Sequence, residues 1–234
     1  MRLILPMAGN GQRFVDAGYR CPKPLLPLDG WPLYYRALQC LPPIPTLLVT
    51  TEAIAQDHRF LTPTLGGYLV VTLTTPTRGP VETLLAHPQA RAWCDTTEAL
   101  IIADCDSLFD RSEWVGAVQR FQTERADGGV TLRRTTDPQC SYATVTTGGW
   151  VTQTVEKAVV SDWSTTGPYY WREGRSFVAC ATQALADGVV SVSPVYNYLR
   201  RQGGNILSVP FTSFEHLGTP EAYEHKRDAA HWTA

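Results

Sequence analysis

The sequence predicts an α/β fold: a mixed, mainly parallel sheet flanked by helices, with antiparallel strands appended in its second half. Three observations predict it. Short apolar runs recur at residues 3–5, 47–51, 69–74 and 100–103, segments of helical periodicity at 32–41, 81–93 and 113–125 separate them, and from Gly128 the texture changes to strands rich in Thr and Val. Strands that are apolar throughout suit a parallel sheet covered by helices on both sides, because neither strand face meets water.

In the second half, strands are expected at 130–135, 143–147 and 151–155, with turns at Asp127-Gly128-Gly129 and Thr147-Gly148-Gly149, followed by helical stretches at 176–185 and 194–202. Neither a Pro/Gly/Ser-rich linker nor a charge block nor a solenoid-type repeat interrupts the chain. One domain over residues 1–234 is therefore expected, its second half completing a site that the first half opens.

Composition narrows the function. No apolar run approaches the roughly 18–20 residues of a membrane-spanning helix, and 44% hydrophobic with 18% charged residues over 234 positions supports a substantial core rather than disorder. Twenty basic against 22 acidic side chains leave a net charge of −2, so no excess exists to condense on nucleic acid or an anionic membrane, and neither is expected as a partner. The six cysteines contain no C-x-x-C pair, which argues against a zinc ribbon or redox couple, and the apolar start is broken at Pro6 without a basic leader. A cytoplasmic protein without a signal peptide is expected.

The most informative segment follows the first strand: Pro6-Met7-Ala8-Gly9-Asn10-Gly11-Gln12-Arg13-Phe14, then Pro22-Lys23-Pro24-Leu25. Gly9 and Gly11 permit backbone conformations that aim successive amides at one oxyanion, and Arg13 and Lys23 add positive charge on the same loop. Two familiar phosphate loops fail here. No Lys follows the glycines as a P-loop requires, and Phe14 stands where the dinucleotide fingerprint needs a small residue. Alone, G-x-G would be a tight turn with solvated charges around it; jointly with Arg13 and Pro22-Lys23-Pro24, it reads as a polyphosphate site.

The run 100–103 then ends in Asp104-Cys105-Asp106, whose carboxylates would share one side of an extended chain. Hard carboxylate oxygens are what Mg²⁺ prefers. Asp110, rather than Asp104, is the better candidate to cap the helix starting near Ser112.

These residues resemble the signature of the sugar-1-phosphate nucleotidylyltransferases, in the short form used for bacterial surface-polysaccharide precursors. The resemblance spans residues 3–223. It implies a Rossmann-like, GT-A-like nucleotidyltransferase fold and a Mg²⁺-dependent enzyme that joins the nucleotidyl group of a triphosphate to a phosphorylated acceptor and releases pyrophosphate. Arg13 and Lys23 then contact the reacting phosphates, Ala8, Gly9, Asn10 and Gly11 cradle the nucleotide, and Gly79 and Thr83 approach the base. Asp104 joins the nucleotide side and Asp106 holds the metal. Val155-Glu156-Lys157 and Thr165-Thr166-Gly167 match the acceptor pocket, with Glu156, Lys157, Thr166 and Gly167 as acceptor residues. In Phe214-Glu215-His216-Leu217-Gly218-Thr219-Pro220-Glu221 the sequence departs from the family, with His216 where a second metal-binding Asp often stands. That leaves Asp104, Glu215 or water for the second contact. With so short a segment after Tyr223, the C-terminal β-helix that some relatives append is not expected.

The expected substrates are thus a nucleoside triphosphate and a sugar-1-phosphate, with a cytidylyl transfer to a non-sugar phosphate or phosphonate as the alternative. Base and oligomeric state are open, homo-oligomers included. Two rival classes differ in the loop: a GT-A glycosyltransferase would use Asp104-Cys105-Asp106 as its D-x-D but has no purpose for Arg13 and Lys23, and a non-catalytic nucleotide-binding regulator would not need to keep all three.

Overall fold

The computed structural model describes residues 1–60 and 68–231. In chain order the first half runs β1 (Arg2–Pro6), α1 (Gln12–Asp16), β2 (Pro27–Leu28), β3 (Trp31–Pro32), α2 (Leu33–Gln39), β4 (Thr46–Thr51), α3 (Glu52–Ala55), β5 (Leu69–Leu73), α4 (Pro80–Ala86), α5 (Pro88–Cys94), β6 (Leu100–Ala103), β7 (Ser107–Phe109) and α6 (Arg111–Thr123). The second half adds β8 (Gly128–Arg134), β9 (Ser141–Val145), β10 (Val151–Glu156), β11 (Trp163–Trp171), α7 (Gly174–Ala186), α8 (Tyr196–Arg201), β12 (Ile206–Pro210), β13 (Phe214–His216) and α9 (Pro220–His231).

Nine strands form one sheet whose main path is β10-β9-β11-β6-β1-β4-β5, with β8 on β11 and β12 on β8. Strands β6, β1, β4 and β5 are mutually parallel, and β11 enters antiparallel to β6. The mixed α/β fold with appended antiparallel strands is therefore observed. Along β1 the side chains alternate between two cores: Ile4 joins Val81, Leu84, Phe177 and Tyr196 from α4, α7 and α8, whereas Leu3 and Leu5 join Tyr34, Trp114 and Phe121 from α2 and α6. Strands β1, β4 and β6 are covered on both faces, which is why their central positions are largely apolar, whereas the edge strand β5 is partly exposed. No helix among the described residues is long and apolar enough to cross a membrane.

Several expectations need correction. The helix at 81–93 is two helices, because Pro88 withdraws an amide and His87 is extended (φ −109°, ψ 131°). Asp127-Gly128-Gly129 is no turn; the two glycines open β8. Their role is steric: an ideal Cβ would fall 2.5 Å from Tyr196 at Gly128 and 2.5 Å from Phe121 at Gly129. Asp104, Cys105 and Asp106 lie in the turn between β6 and β7, not on extended chain. Asp110 does cap α6, accepting from the Ser112 amide at 2.6 Å.

A third, smaller core fixes the phosphate-loop candidate. Phe14 of α1, Tyr19 and Tyr223 of α9 meet edge to face with centroids 5.3 to 6.1 Å apart, and the Tyr223 hydroxyl donates to the Pro27 carbonyl at 2.6 Å. Leu26, Leu28, Leu33, Leu108 and Leu217 close the cluster. Phe14 beside Arg13 and Pro24 beside Lys23 are thereby buried, which fixes the backbone that carries the two charges.

Gly129→Ala should lose about 1–3 kcal/mol, the usual cost of forcing a methyl into a filled core, whereas Gly116→Ala on the open face of α6, where a Cβ meets nothing within 4 Å, should gain about 0.5–1 kcal/mol. Urea unfolding of the two variants checks this, and equal effects would contradict the packing described.

Candidate active site

Strands β4 and β5 extend the sheet to one side of β1, and the chain then returns to place β6 on the other side. Ligands of open α/β sheets bind where strand order reverses in this way, beyond the carboxyl ends of the strands. A cavity of about 410 Å³ opens there, between the loop that leaves β1 and the turn that leaves β6. Its walls include Gly9, Gly11, Arg13, Lys23, Gly79, Thr83, Asp104 and Asp106 from the first half, and Glu156, Lys157, Thr166 and Gly167 from the second. Two expected residues stand apart: Ala8 is buried and Asn10 is exposed, and neither lines the cavity.

The loop after β1 is anchored by its backbone. Thr77 donates its amide to the Ala8 carbonyl at 2.9 Å, and Gly9 and Thr77 form a parallel bridge, so the segment leading to Gly79 and α4 is tied to the Gly-rich loop. Gly11 adopts left-handed geometry (φ 61°) and starts α1, which turns Arg13 toward the Gly218 carbonyl, 3.4 Å from Nη1. Thr83 is buried, and its hydroxyl contacts Thr77 Oγ1 at 2.5 Å and donates to the Gly79 carbonyl at 3.1 Å. Its role is to shape the pocket wall.

The charged centre is a carboxylate gripped from two sides. Lys23 Nζ donates to Asp106 Oδ2 at 2.7 Å, and His216 Nε2 lies 3.6 Å from the same oxygen. Burial opposes ionisation of Asp106, but the Lys23 ammonium and His216 outweigh it and hold the carboxyl well below the usual carboxylate range. The same pairing overcomes the burial of Lys23 and raises its pKa. Asp104 is different: burial, then the adjacent Asp106 charge, pushes its carboxyl up to about 7. Gly167, at φ 95°, makes room for it, since an ideal Cβ there would fall 2.5 Å from Asp104 Oδ2.

Opposite, Glu156 accepts from the Ser141 hydroxyl and stands 3.9 Å from Lys157 Nζ. Lys157 carries a positive φ of 52°, and its amide donates to the Cys140 carbonyl. The Thr166 hydroxyl bonds Thr131 within the sheet, so this residue offers the cavity its surface rather than a free hydroxyl.

Residues 3–154 match the MobA-like NTP transferase domain family. The chain belongs to that family. It is a nucleotidyltransferase enzyme by that membership, which sets aside the glycosyltransferase reading of Asp104-Cys105-Asp106. No curated protein matches the chain in sequence. Among solved structures, the fold is similar to that of a nucleoside-diphosphate-sugar pyrophosphorylase from Vibrio cholerae RC9, with a TM-score of 0.81 and 21% identity over 97% of this chain and 99% of that one. A putative glucose-1-phosphate thymidylyltransferase from Bacillus anthracis gives 0.73 and 18% over 98% and 94%. The inositol-1-phosphate CTP transferase from T. maritima gives 0.71 and 14% over 94% and 90%. These likenesses confirm the GT-A-like nucleotidyltransferase fold.

Motif reading missed Arg133, Ser141 and Tyr169 as individual cavity residues, all of them in the antiparallel half. Period-two alternation could have placed Arg133 with Thr131 on one face of β8, but not shown that this face borders a cavity.

The NTP transferase's two aspartates make a pH prediction. Asp104 binds its proton more tightly folded, near pH 7, than unfolded, near the ordinary value of about 4. Its contribution is therefore complete at low pH and declines as pH rises from about 4 to 7. Asp104→Asn removes that decline, so in EDTA its stability relative to the parent should climb across this window and level off above it. A difference independent of pH would contradict the assignment.

Proposed function

We propose that the chain acts as a single catalytic domain that transfers a nucleotidyl group from a nucleoside triphosphate to a phosphorylated acceptor, most simply a sugar-1-phosphate, and releases pyrophosphate. The observation that carries this reading is the meeting, in one cavity, of Arg13, Lys23 and Asp106 with Glu156 and Lys157 across from them. The relatives' names support the acceptor class: a pyrophosphorylase of nucleoside-diphosphate sugars, a glucose-1-phosphate thymidylyltransferase and an inositol-1-phosphate CTP transferase share the fold.

In this reaction an acceptor phosphate oxygen forms a bond to the α-phosphorus, and the bond from that phosphorus to the bridging oxygen of the β-phosphate breaks, its electron pair leaving with pyrophosphate. The protein's share is alignment and charge. Two anions must meet in line, so cations fixed beforehand lower the barrier more than any nucleophilic side chain could. Arg13 sits in the first turn of α1, just after the loop that follows β1, at the triphosphate end. Lys23 commits one donor to Asp106 and keeps the others for phosphate oxygens. Lys157 meets the acceptor phosphate and Glu156 the acceptor body.

The residues fit a magnesium ion. Two carboxylates flank the turn after β6, and beside them Ser107 Oγ is buried without a partner. Among the described residues no three His, Cys, Asp or Glu side chains gather as a metal cage, which suits Mg²⁺, a cation held by one or two carboxylates while waters and substrate phosphates fill its remaining positions. Asp106 would hold it with Asp104, and the bound ion supplies neutralisation of charge on the phosphate oxygens. Surface-polysaccharide precursor synthesis in the cytoplasm is the setting we infer; all six cysteines are free thiols, three of them buried, as a reducing compartment permits.

Pyrophosphate release from four triphosphates against sugar-1-phosphates, phosphoalcohols and phosphonates tests the reading. Asp106→Ala should abolish nearly all turnover in Mg²⁺. Arg13→Ala and Lys23→Ala should each lose about 10²- to 10³-fold in kcat, the scale for one preorganised charge stabiliser, and Lys23→Ala should also lower thermal stability because it strands a buried carboxylate. Parental kinetics in both would return the loop to solvated surface charge.

The acceptor side separates two roles. Glu156→Gln should reorder the preference among acceptors with little change in triphosphate KM, because a carboxylate reads hydroxyls or an amine, whereas Lys157→Ala should depress all acceptors alike, because an ammonium reads only the shared phosphate. Equal scaling of every acceptor by Glu156→Gln would reduce the pair to a surface ion pair worth under about 1 kcal/mol.

A further inference from the structure

Five cationic side chains border the cavity: Arg13, Lys23, Arg78, Arg133 and Lys157. Three of them have a carboxylate of their own, Lys23 with Asp106, Arg78 with Glu82 and Lys157 with Glu156. Arg13 stands on the triphosphate loop. Arg133 remains. Among the described residues no carboxylate lies within 4 Å of its guanidinium, whose Nε is buried without a hydrogen-bond partner and whose Nη2 reaches only the Cys140 sulfur, a weak acceptor, at 3.5 Å. Its Cζ lies over the Phe214 ring, 5.1 Å from the centroid. A cation presented to a cavity on an aromatic platform, with its hydrogen-bonding capacity unfilled, is built for an anion that the protein does not provide.

Position identifies which part of the substrate this anion belongs to. Phe214 and His216 share a face of β13, two residues apart, so about 6–7 Å separates them along the strand. His216 borders Asp106; Arg133 is therefore displaced from the centre that handles the reacting phosphates. Its contacts lie on the other wall. Cys140, which takes Nη2, precedes Ser141, and Ser141 donates to Glu156, the residue assigned to the acceptor body. We propose that Arg133 is an acceptor-specificity residue that binds a second oxyanion on the acceptor body, a carboxylate or a second phosphate, remote from the phosphate that reacts. The natural acceptor is then a phosphorylated compound whose body carries a second acidic group, rather than the phosphate of an uncharged sugar. This inference rests on the nucleotidyl-transfer reading and deepens its acceptor class.

The test compares kcat/KM, by pyrophosphate release, within matched pairs: glucose 1-phosphate against glucuronic acid 1-phosphate and glucose 1,6-bisphosphate, and glycerol 3-phosphate against 3-phosphoglycerate. The glucuronic acid and bisphosphate arms separate carboxylate from phosphate. The parent enzyme should favour the acidic member of a pair, and Arg133→Gln should reduce that preference about 10- to 100-fold, the range for a hydrogen-bonded charge, acting mainly through acceptor KM. Arg133→Lys should restore part of it. Arg134→Gln, on the opposite face of β8 where Arg134 lies over Trp163 and pairs with Asp162, should leave the ratio at the parental value. A parent enzyme that favours the members without a second acidic group, or a ratio that Arg133→Gln does not change, overturns the proposal while leaving nucleotidyl transfer intact. Absence of pyrophosphate release with every acceptor and triphosphate instead removes the transfer reading, and this inference with it.

Discussion

The pair between Lys23 and Asp106 joins the two pieces of chain on which the site depends. Lys23 comes from the loop after the first strand and Asp106 from the turn after β6, 83 positions on. Asp106 is 4% exposed, a degree of burial that an ionised carboxylate tolerates only when opposite charge and hydrogen bonds compensate. The arrangement therefore locks loop to turn and leaves a strongly ionised oxygen centre beside a fixed ammonium. Phosphates and a divalent ion need both of these at once.

Around that pair, each layer of the fold has a positional consequence. The aromatic cluster of Phe14, Tyr19 and Tyr223 clamps the first loop against α9, and the ribbon of β7 and β13 brings His216 to the aspartate turn. Strand β11 pairs with β6 along residues 168–171, with β8 along 163–165 and 169–171, and with β9 at Ser164, so the wall carrying Gly167 is continuous with the strand that leads into Asp104. The family match stops at residue 154, two positions before Glu156. The matched span therefore takes in the loop of Arg13 and Lys23, the aspartate turn and also β8, β9 and Arg133, and stops short of Glu156, Lys157, Thr166 and Gly167.

Legibility from sequence differed between local patterns and elements defined by distant partners. Parallel strands were readable because burial on both faces forces apolar runs, and the loop with Arg13 and Lys23 was readable because the glycines and charges are neighbours in sequence. The break at Pro88 was also written in the chain, although the periodicity across 81–93 masks it. Elements defined by partners were not readable. Phe214-Glu215-His216 is too short for alternation to mark a strand, and becomes one only by pairing with Ser107–Phe109. Gly128 and Gly129 resemble a turn locally, but pair with β11 and β12 as strand residues and are glycines because Tyr196 and Phe121 occupy the space above them. Arg133 carried no motif, since its meaning depends on Phe214, 81 positions away in sequence and in contact only through the fold.

The central claim is directional: triphosphate on the side of Arg13 and Lys23, acceptor on the side of Glu156 and Lys157, and the reacting phosphorus near Asp106 between them. A crystal structure with Mg²⁺ and an α,β-methylene triphosphate, which binds but cannot release pyrophosphate, tests it most directly. The account predicts the β- and γ-phosphates along the loop of Gly9, Gly11 and Arg13, the α-phosphate beside Lys23 and Asp106, and the wall of Glu156 and Lys157 left free of nucleotide. A triphosphate lodged against Glu156 and Lys157, with Arg13 and Lys23 facing solvent, would contradict it.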